Sequence, residues 1–197
     1  RYGLVGSEMC IRDSSIIDYE GNVVSNTYTL NTAYGSGIVA KGTGILMNNE
    51  MDDFSIKPGT PNVYGLIGSE ANKIESKKSP LSSMSPTIVF KDSKPFLITG
   101  SQGGSMIINT VFQEILNTIE FNMELSESNE KSRIHYQWKP SVLFHEGLNK
   151  SLIDELSKNM KLMERKIGET QSISLENGKY QGWSDYRRPD GKKIELH

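Results

Sequence analysis

Cysteine is almost absent from this chain of 197 residues, and its one example, Cys10, excludes an internal disulfide and any cysteine-based zinc site. Histidine is also scarce, and His135, His145 and His197 lack the spacing of a metal-ligand set. The sequence therefore predicts no metal and no other cofactor, and it leaves the redox compartment open.

Long apolar runs and an excess of charge of one sign are missing as well. No run approaches the roughly 18 to 20 residues that span a bilayer, and the sequence has no segment with the basic-then-apolar layout of a signal peptide. A formal net charge of −2 gives no electrostatic attraction to nucleic acid or to anionic membranes. We therefore expect no nucleic-acid partner and no membrane span.

The first fourteen residues differ in character from the rest of the chain. They show neither the period of two that is typical of a strand nor the 3.6-residue period of a helix. They also contain the only cysteine. We interpret residues 1–14 as a leader foreign to the fold, resembling translated sequencing-adapter text joined by a read or assembly error, and residues 15–197 as one folded domain.

Local patterns predict a layered α+β fold. Three β-hairpins are indicated around residues 19–22, 91–94 and 176–178, and a long, proline- and glycine-rich surface loop over 54–80. Apolar residues at three- and four-residue steps predict helices over 108–119 and 149–166. The side chains expected to face the core are Ile108, Val111, Phe112, Ile115, Leu116 and Ile119 in the first helix and Leu152, Ile153, Leu156, Met160 and Met163 in the second.

An acidic and amide-rich cluster at residues 48–53 is the first candidate for binding chemistry. Its carboxylates, which include Glu50 and Asp53, can accept the hydrogen bonds of an ammonium group. The alternative is a solvated acidic turn. Upstream, Thr27, Thr29 and Asn31 alternate along a predicted strand and would share one face, which could equally be a solvent face.

Two further motifs offer hydrogen-bond donors. Ser82 and Ser83 carry hydroxyls that can donate to a carboxylate, although serines before a strand also serve as ordinary loop or capping residues. Gly103 and Gly104 precede a predicted helix and could direct two backbone N–H groups at an oxyanion or a phosphate. The alternative for the glycine pair is a tight turn into the helix, and the ending of a P-loop is missing.

In their order along the chain, these motifs resemble the small subunit of γ-glutamyltranspeptidases. The similarity extends from about Ser15 to near Asp190 and is carried by long strings. They are DYEGNVVSNTYTLNTAYGSGIVAKGTGILMNNEMDDFS, KPGTPNVYGLIGSEAN, PLSSMSPTIVFKD and the Gly-Gly turn, with further matches at residues 133–135, 137–138, 170–172 and 187–190.

The resemblance implies a four-layer αββα sandwich of the N-terminal-nucleophile hydrolase type, of which this chain is the small-subunit half. It implies an enzyme that transfers a γ-glutamyl group from glutathione or another γ-glutamyl donor to water, an amino acid or a peptide. The large subunit of the same precursor would be its partner, and the relatives suggest a periplasmic or extracellular bacterial protein. Such precursors cut themselves and expose a catalytic threonine at the new amino terminus.

The resemblance also assigns roles to individual residues. Thr29 would assist the nucleophile, Tyr64 would lie in a loop covering the site, and Gly103 with Gly104 would form the oxyanion hole. The remaining matches concern the substrate: Asn31, Glu50 and Asp53 would hold its α-amino group, and Ser82 and Ser83 its α-carboxylate.

The sequence departs from the family pattern at the nucleophile. The family has Thr-Thr-His-aromatic-Ser, and an ungapped alignment on Ser15 places Ile11 at the position of the catalytic threonine. Because isoleucine has no nucleophilic atom, we expect this chain to be inactive as written. The oxyanion turn also differs, since Gln102 and Met106 replace the usual proline and arginine.

Three alternatives remain open. A degenerate subunit could keep the γ-glutamyl pocket without a nucleophile, in which case Ile11 is genuine. A cephalosporin-acylase-like relative would not need the amine-binding residues Asn31, Glu50 and Asp53. A phosphate or nucleotide binder would use the glycine turn alone.

Overall fold

A computed structural model describes residues 12–62, 64–189 and 191–193, which form two compact units. The first unit comprises residues 28–82, and the second comprises residues 13–27 together with 83–193. The strands are β1 Arg12–Ile17, β2 Val23–Tyr28, β3 Thr87–Lys91, β4 Lys94–Thr99, β5 Ser101–Gln102, β6 Ile134–Tyr136, β7 Val142–His145, β8 Lys161–Glu164, β9 Glu169–Glu176 and β10 Lys179–Ser184. The α-helices are α1 Ile107–Ile119, α2 Leu125–Glu130 and α3 Lys150–Leu156. None of the helices in these ranges has the length and apolar character needed to cross a membrane.

The first unit is built mainly from loops. Its regular structure consists of two short 3₁₀ turns, Glu50–Asp53 and Glu70–Asn72, and of isolated bridges such as Val39 with Leu46. The predicted loop over residues 54–80 is confirmed, since the residues described there, all but residue 63, contain no helix longer than one of these turns. Side chains hold much of this unit together; Asn72, for example, donates from Nδ2 to the carbonyl of Asp53 at 2.7 Å.

The second unit contains the sheets, and its three hairpins confirm the sequence prediction. The β1–β2 turn is closed by Asp18, whose Oδ1 accepts from the N–H groups of Glu20 and Asn22 at 2.9 Å. The other two hairpins, β3–β4 and β9–β10, join through the antiparallel pairing of β4 with β9 into one sheet with the order β10-β9-β4-β3, and β5 also pairs with β9. Leu97 and Ile98 of β4 are fully buried in this sheet.

The predicted helix over residues 149–166 is wrong beyond its first two turns. α3 begins after Asn149, whose side chain accepts from Leu152 N, and it ends at Leu156. The chain then forms β8, which pairs in parallel with the buried strand β7, while β6 pairs antiparallel on the other side of β7. The apolar period was misleading because Leu152, Met160 and Met163 do not face a core: they are 37%, 36% and 45% exposed.

The helix predicted over residues 108–119 is confirmed as α1, and Val111 is buried as predicted, but the rest of the predicted inward face is not. Ile108, Phe112 and Ile119 are 54%, 59% and 43% exposed. The buried residues of α1 are instead Ile107, Thr110, Val111, Glu114 and Thr118. The reason is that Glu114 finds hydroxyl partners on the sheet and the amide of Asn129 on α2, so the helix turns a partly polar stripe inward. The α+β fold class itself is confirmed.

Candidate functional site

The acidic 3₁₀ turn in the first unit brings Glu50 and Asp53 together. The side chain of Asn48 accepts a hydrogen bond from Glu50 N at 3.0 Å and so starts the turn. Burial raises the pKa of Glu50 to about 7, helped by the negative charge of Asp53 and a hydrogen bond between the two carboxyl groups. Burial also raises the pKa of Asp53. The two carboxyl groups therefore behave as a proton-sharing pair.

One oxygen of this pair lacks a donor. Glu50 Oε1 is buried and has no hydrogen-bond partner among the residues that the structure describes. A buried carboxylate oxygen without a donor is unfavourable unless a cationic or N–H group reaches it. The arrangement is therefore suited to an ammonium group, which carries three donors and a compensating positive charge.

Asn31 and Tyr64 lie beside the acidic pair within the same unit. Asn31 is buried, and its Oδ1 accepts from the hydroxyl of Tyr64 at 3.1 Å while its Nδ2 donates to Asn49 O at 3.2 Å. Burial raises the pKa of Tyr64, and the negative charges of Asp53, Asp52 and Glu50 add to the effect. The structure thus brings together Asn31, Tyr64, Glu50 and Asp53.

The predicted strand face shared by Thr27, Thr29 and Asn31 does not extend to Asn31. β2 ends at Tyr28, and Asn31 has a left-handed φ of 73°, so alternation along a strand does not reach it. Thr29 instead accepts from Asn31 N through its Oγ1 at 2.8 Å, which fixes the turn that presents Asn31. Thr27 donates to Asp13 at 2.6 Å in the β1–β2 hairpin.

The glycine turn lies in the second unit, between β5 and α1. Gly103 and Gly104 have φ values of 137° and 58°, and a 3₁₀ turn, Gly104–Met106, leads into the thirteen residues of α1. A Cβ atom on Gly103 would lie 3.2 Å from the Cα of Gly168, so the turn packs closely on that glycine. The positive end of the helix dipole and two successive N–H groups favour negative charge here.

The remaining predicted residues are placed as follows. Ser83 belongs to the second unit and donates from Oγ to the carbonyl of Gly104 at 3.1 Å, whereas Ser82 ends the first unit and is exposed. Ile11, the expected nucleophile position, lies outside the described residues.

A buried polar network in the second unit was missed by the sequence reasoning. Glu114 accepts hydrogen bonds from Thr99, from Ser172 at 2.9 Å and from Asn129 at 2.8 Å, and it is only 2% exposed. The network continues to a salt bridge of 2.7 Å between Arg133 and Asp185. The only hint in the sequence was the four-residue spacing of Thr110, Glu114 and Thr118 along α1.

An acidic pair that can accept an ammonium group and a glycine turn that can present N–H groups to negative charge are compatible with an enzyme of acyl transfer. Comparison with known proteins narrows this class. Residues 13–194 match the family model described as gamma-glutamyltranspeptidase. The chain belongs to the γ-glutamyltranspeptidase family, which is a family of enzymes.

Individual relatives agree with the family match. The glutathione hydrolase proenzyme of Escherichia coli K12 is 49% identical over 89% of this chain, and this chain spans 31% of that protein. A solved Helicobacter pylori γ-glutamyltranspeptidase mutant is 47% identical, with a TM-score of 0.85 over 89% of this chain and 99% of the matched one. The Pseudomonas nitroreducens enzyme complexed with L-DON is 40% identical, with a TM-score of 0.86 over 94% and 98%.

Proposed function

We propose that this chain is the small-subunit portion of an enzyme that removes the γ-glutamyl group from glutathione and related γ-glutamyl compounds. The observation that carries the proposal is the acidic pair, Glu50 with Asp53, whose buried Glu50 Oε1 lacks a donor. A γ-glutamyl group differs from an ordinary acyl group by its free α-amino and α-carboxylate groups, so a site for that amine is what the substrate requires. The proenzyme relatives named as glutathione hydrolases support the same reading.

In this proposal the first unit supplies most of the residues that bind the substrate, and Ser83 is contributed by the second unit. Glu50, Asp53 and Asn31 hold the α-amino group, and Tyr64, already bonded to Asn31, covers it. Ser82 donates to the α-carboxylate, and Ser83 does so once its hydroxyl turns away from the carbonyl of Gly104. Substrate binding would then replace the proton shared by the acidic pair with a permanent ammonium partner.

The chemical step is acyl transfer. A threonine hydroxyl oxygen forms a bond to the γ-carbonyl carbon, the amide C–N bond breaks, and the hydroxyl proton passes through the threonine's own α-amino group to the leaving amine. Water or an acceptor amine then takes the acyl group from the threonine. Gly103 and Gly104 supply the N–H groups for the oxyanion, and Thr29 assists the nucleophile.

The partner required by this proposal is the large subunit of the same precursor. This chain spans 31% of its E. coli and Pseudomonas aeruginosa relatives, which are proenzymes. The exposed apolar side chains of α1, Ile108 and Phe112 among them, are surface that a second subunit would cover. Periplasmic or extracellular placement belongs to the same proposal.

A second candidate is a binding subunit without catalysis, and Ile11 favours it. With residues 1–14 as written, position 11 has no nucleophilic atom and no free α-amino group, so the chain could bind a γ-glutamyl group but not transfer one. If those residues are instead a joining error, the family's threonine stands at position 11 in the natural protein. Sequencing the source DNA upstream of codon 15 decides between them.

The enzymatic test uses the full-length protein, meaning the precursor in which the proposed large subunit precedes this chain. It is made in three forms. The first keeps residues 11–14 as written, the second carries Thr-Thr-His-Tyr there, and the third carries Ala-Thr-His-Tyr as the matched control. We expect the second form alone to cut itself before position 11 and to release 4-nitroaniline from its γ-glutamyl derivative. Lack of both self-cleavage and release in the second form would contradict the proposal.

A further inference from the structure

The conformation of the glycine turn needs support from outside the turn. Gly103 and Gly104 both have positive φ values, 137° and 58°, in a region that glycine enters and leaves more freely than other residues. Two N–H groups act on an oxyanion only if they point the right way before the reaction begins. In this chain Gln102 and Met106 flank the turn, so no proline stiffens it.

The far end of the turn is tied by one side-chain hydrogen bond. Ser105 follows the two glycines and donates from Oγ to Gln137 Oε1 at 2.8 Å. The orientation of the Gln137 amide is set independently, because its Nε2 donates to the carbonyl of Lys139 at 3.2 Å, which only an NH₂ group can do. The oxygen of Gln137 therefore faces Ser105.

The same oxygen is held by a second donor. His135 Nε2 lies 2.9 Å from Gln137 Oε1, and because that atom is an acceptor the imidazole must carry its hydrogen on Nε2. His135 is 2% exposed, lies on β6 opposite Phe144 of β7, and its ring stacks on Phe144 at 6.2 Å. The two lone pairs of Gln137 Oε1 are thus used by one buried, fixed donor and by the turn.

We propose that Gln137 is a positioning residue for the oxyanion-binding turn, acting through Ser105 and itself fixed by His135. The proposal rests on the proposed function, because it assigns Gly103 and Gly104 to the oxyanion. Gln137 limits how far the turn can rotate by holding Ser105, the residue that follows the two glycines. Loss of the hydrogen bond between Ser105 and Gln137 lets the N–H groups of Gly103 and Gly104 fluctuate, but both N–H groups remain present.

Steady-state kinetics test the positioning role of Gln137. They are measured in the full-length protein that carries Thr-Thr-His-Tyr at residues 11–14. Gln137→Leu and Ser105→Ala should each lower kcat about 10-fold, a fraction of the 10²–10³ lost with a whole oxyanion donor, and leave KM within about 2-fold. The double variant should lose no more than either single one, because both act through one bond. Gln137→Glu keeps an oxygen that can accept from Ser105 and His135 but loses the NH₂ group that donates to Lys139 O, so it should recover only part of the lost kcat.

Gln113→Leu is the matched control. Gln113 also uses its amide to hold β6, through both backbone groups of Ile134, and its other hydrogen bond goes to Asn109 O rather than to the turn. It should leave kcat unchanged. An equal loss of kcat in Gln113→Leu, or a loss of kcat that tracks the fall in Tm across all variants, would show general support of β6 and overturn the proposal.

Hydrogen exchange separates the positioning role from the proposed function. In the protein with residues 11–14 as written, Gln137→Leu and Ser105→Ala should speed amide exchange of residues 103–106 several-fold, and Gln113→Leu should not. Unchanged exchange there would overturn the positioning role. A parent enzyme that fails to release 4-nitroaniline would overturn the proposed function instead, while the exchange measurement would still decide whether Gln137 restrains the turn.

Discussion

The two units of the molecule hold their functional groups in different ways. In the first, residues 28–82, the acidic pair and Asn31 lie on loops and short turns fixed by side-chain bonds such as that of Tyr64 to Asn31. In the second, the glycine turn lies between a strand and a helix above a buried polar network centred on Glu114. Under the proposed function, the groups that bind the substrate's α-amino group lie on a framework of loops, here called the soft side, whereas the N–H donors for the oxyanion lie on a framework of strand and helix, here called the stiff side.

The largest expected effect is on the stability of the second unit, the stiff side of this comparison. Glu114→Ala should destabilise the second unit by about 3–5 kcal/mol, because it leaves the hydroxyls of Thr99 and Ser172 and the amide of Asn129 buried without their acceptor. Urea unfolding followed by tryptophan fluorescence measures this, since both tryptophans, Trp138 and Trp183, belong to the second unit.

The control for Glu114 is Glu120→Ala, at an exposed carboxylate just past the end of α1. It should change the free energy of unfolding by no more than about 0.5 kcal/mol. If Glu114→Ala were equally mild, the network would contribute little stability and the contrast between the two units would fail.

The next effect tests packing beneath the glycine turn. Gly168→Ala should cost about 2–4 kcal/mol, since φ is +61° and the new Cβ would overlap Thr110 Oγ1 and lie 2.9 Å from Ser101 Oγ. Gly178→Ala has a φ of +77° but meets nothing within 4 Å, so it should cost only about 1 kcal/mol. Equal losses in urea unfolding would mean that backbone strain alone, not close packing, fixes Gly168.

The structural features that sequence patterns predicted correctly are those determined by neighbouring residues along the chain. The three hairpins, the long loop and the start of α1 follow from local turns and periodicity, and the acidic pair was visible because its members lie within four residues. Periodicity could not predict which face of α1 is buried, because that depends on whether the sheet offers partners to Glu114. Nor could it predict the bond of Tyr64 to Asn31, which joins residues 33 positions apart.

The third effect is the pH dependence of ligand binding by the acidic pair in the first unit. Burial and the charge of Asp53 raise the pKa of Glu50 from 4.5 to about 7, so the free protein holds a proton there that an ammonium ligand displaces. Affinity for glutathione should therefore rise about 10-fold between pH 6 and pH 8. The same raised pKa means that the stability of the first unit without ligand falls as pH rises from 4.5 towards 7.

Calorimetric titration of the full-length protein, with residues 11–14 as written to prevent turnover, measures this dependence. Glu50→Gln should weaken binding and flatten its pH profile. Glu70→Gln, in the other 3₁₀ turn of the same unit, should leave both unchanged because Glu70 is exposed. If the binding affinity of Glu50→Gln still depended steeply on pH, another group would be responsible for the titration. Glu50 would then not be part of the proposed amine site.

The smallest effect tests whether the first unit can soften without disturbing the second. Tyr64→Phe removes the donor to Asn31 Oδ1 and should cost about 0.5–1.5 kcal/mol locally, which corresponds to roughly 2- to 10-fold faster amide exchange in residues 60–68. Tyr34→Phe, at a tyrosine that is 58% exposed in the same unit, is the control and should change nothing. Tryptophan-monitored unfolding of the second unit should be the same in both variants. If Tyr64→Phe also shifted that unfolding curve, a change in the first unit would alter the stability of the second. The looser framework could then not be a property of the first unit alone.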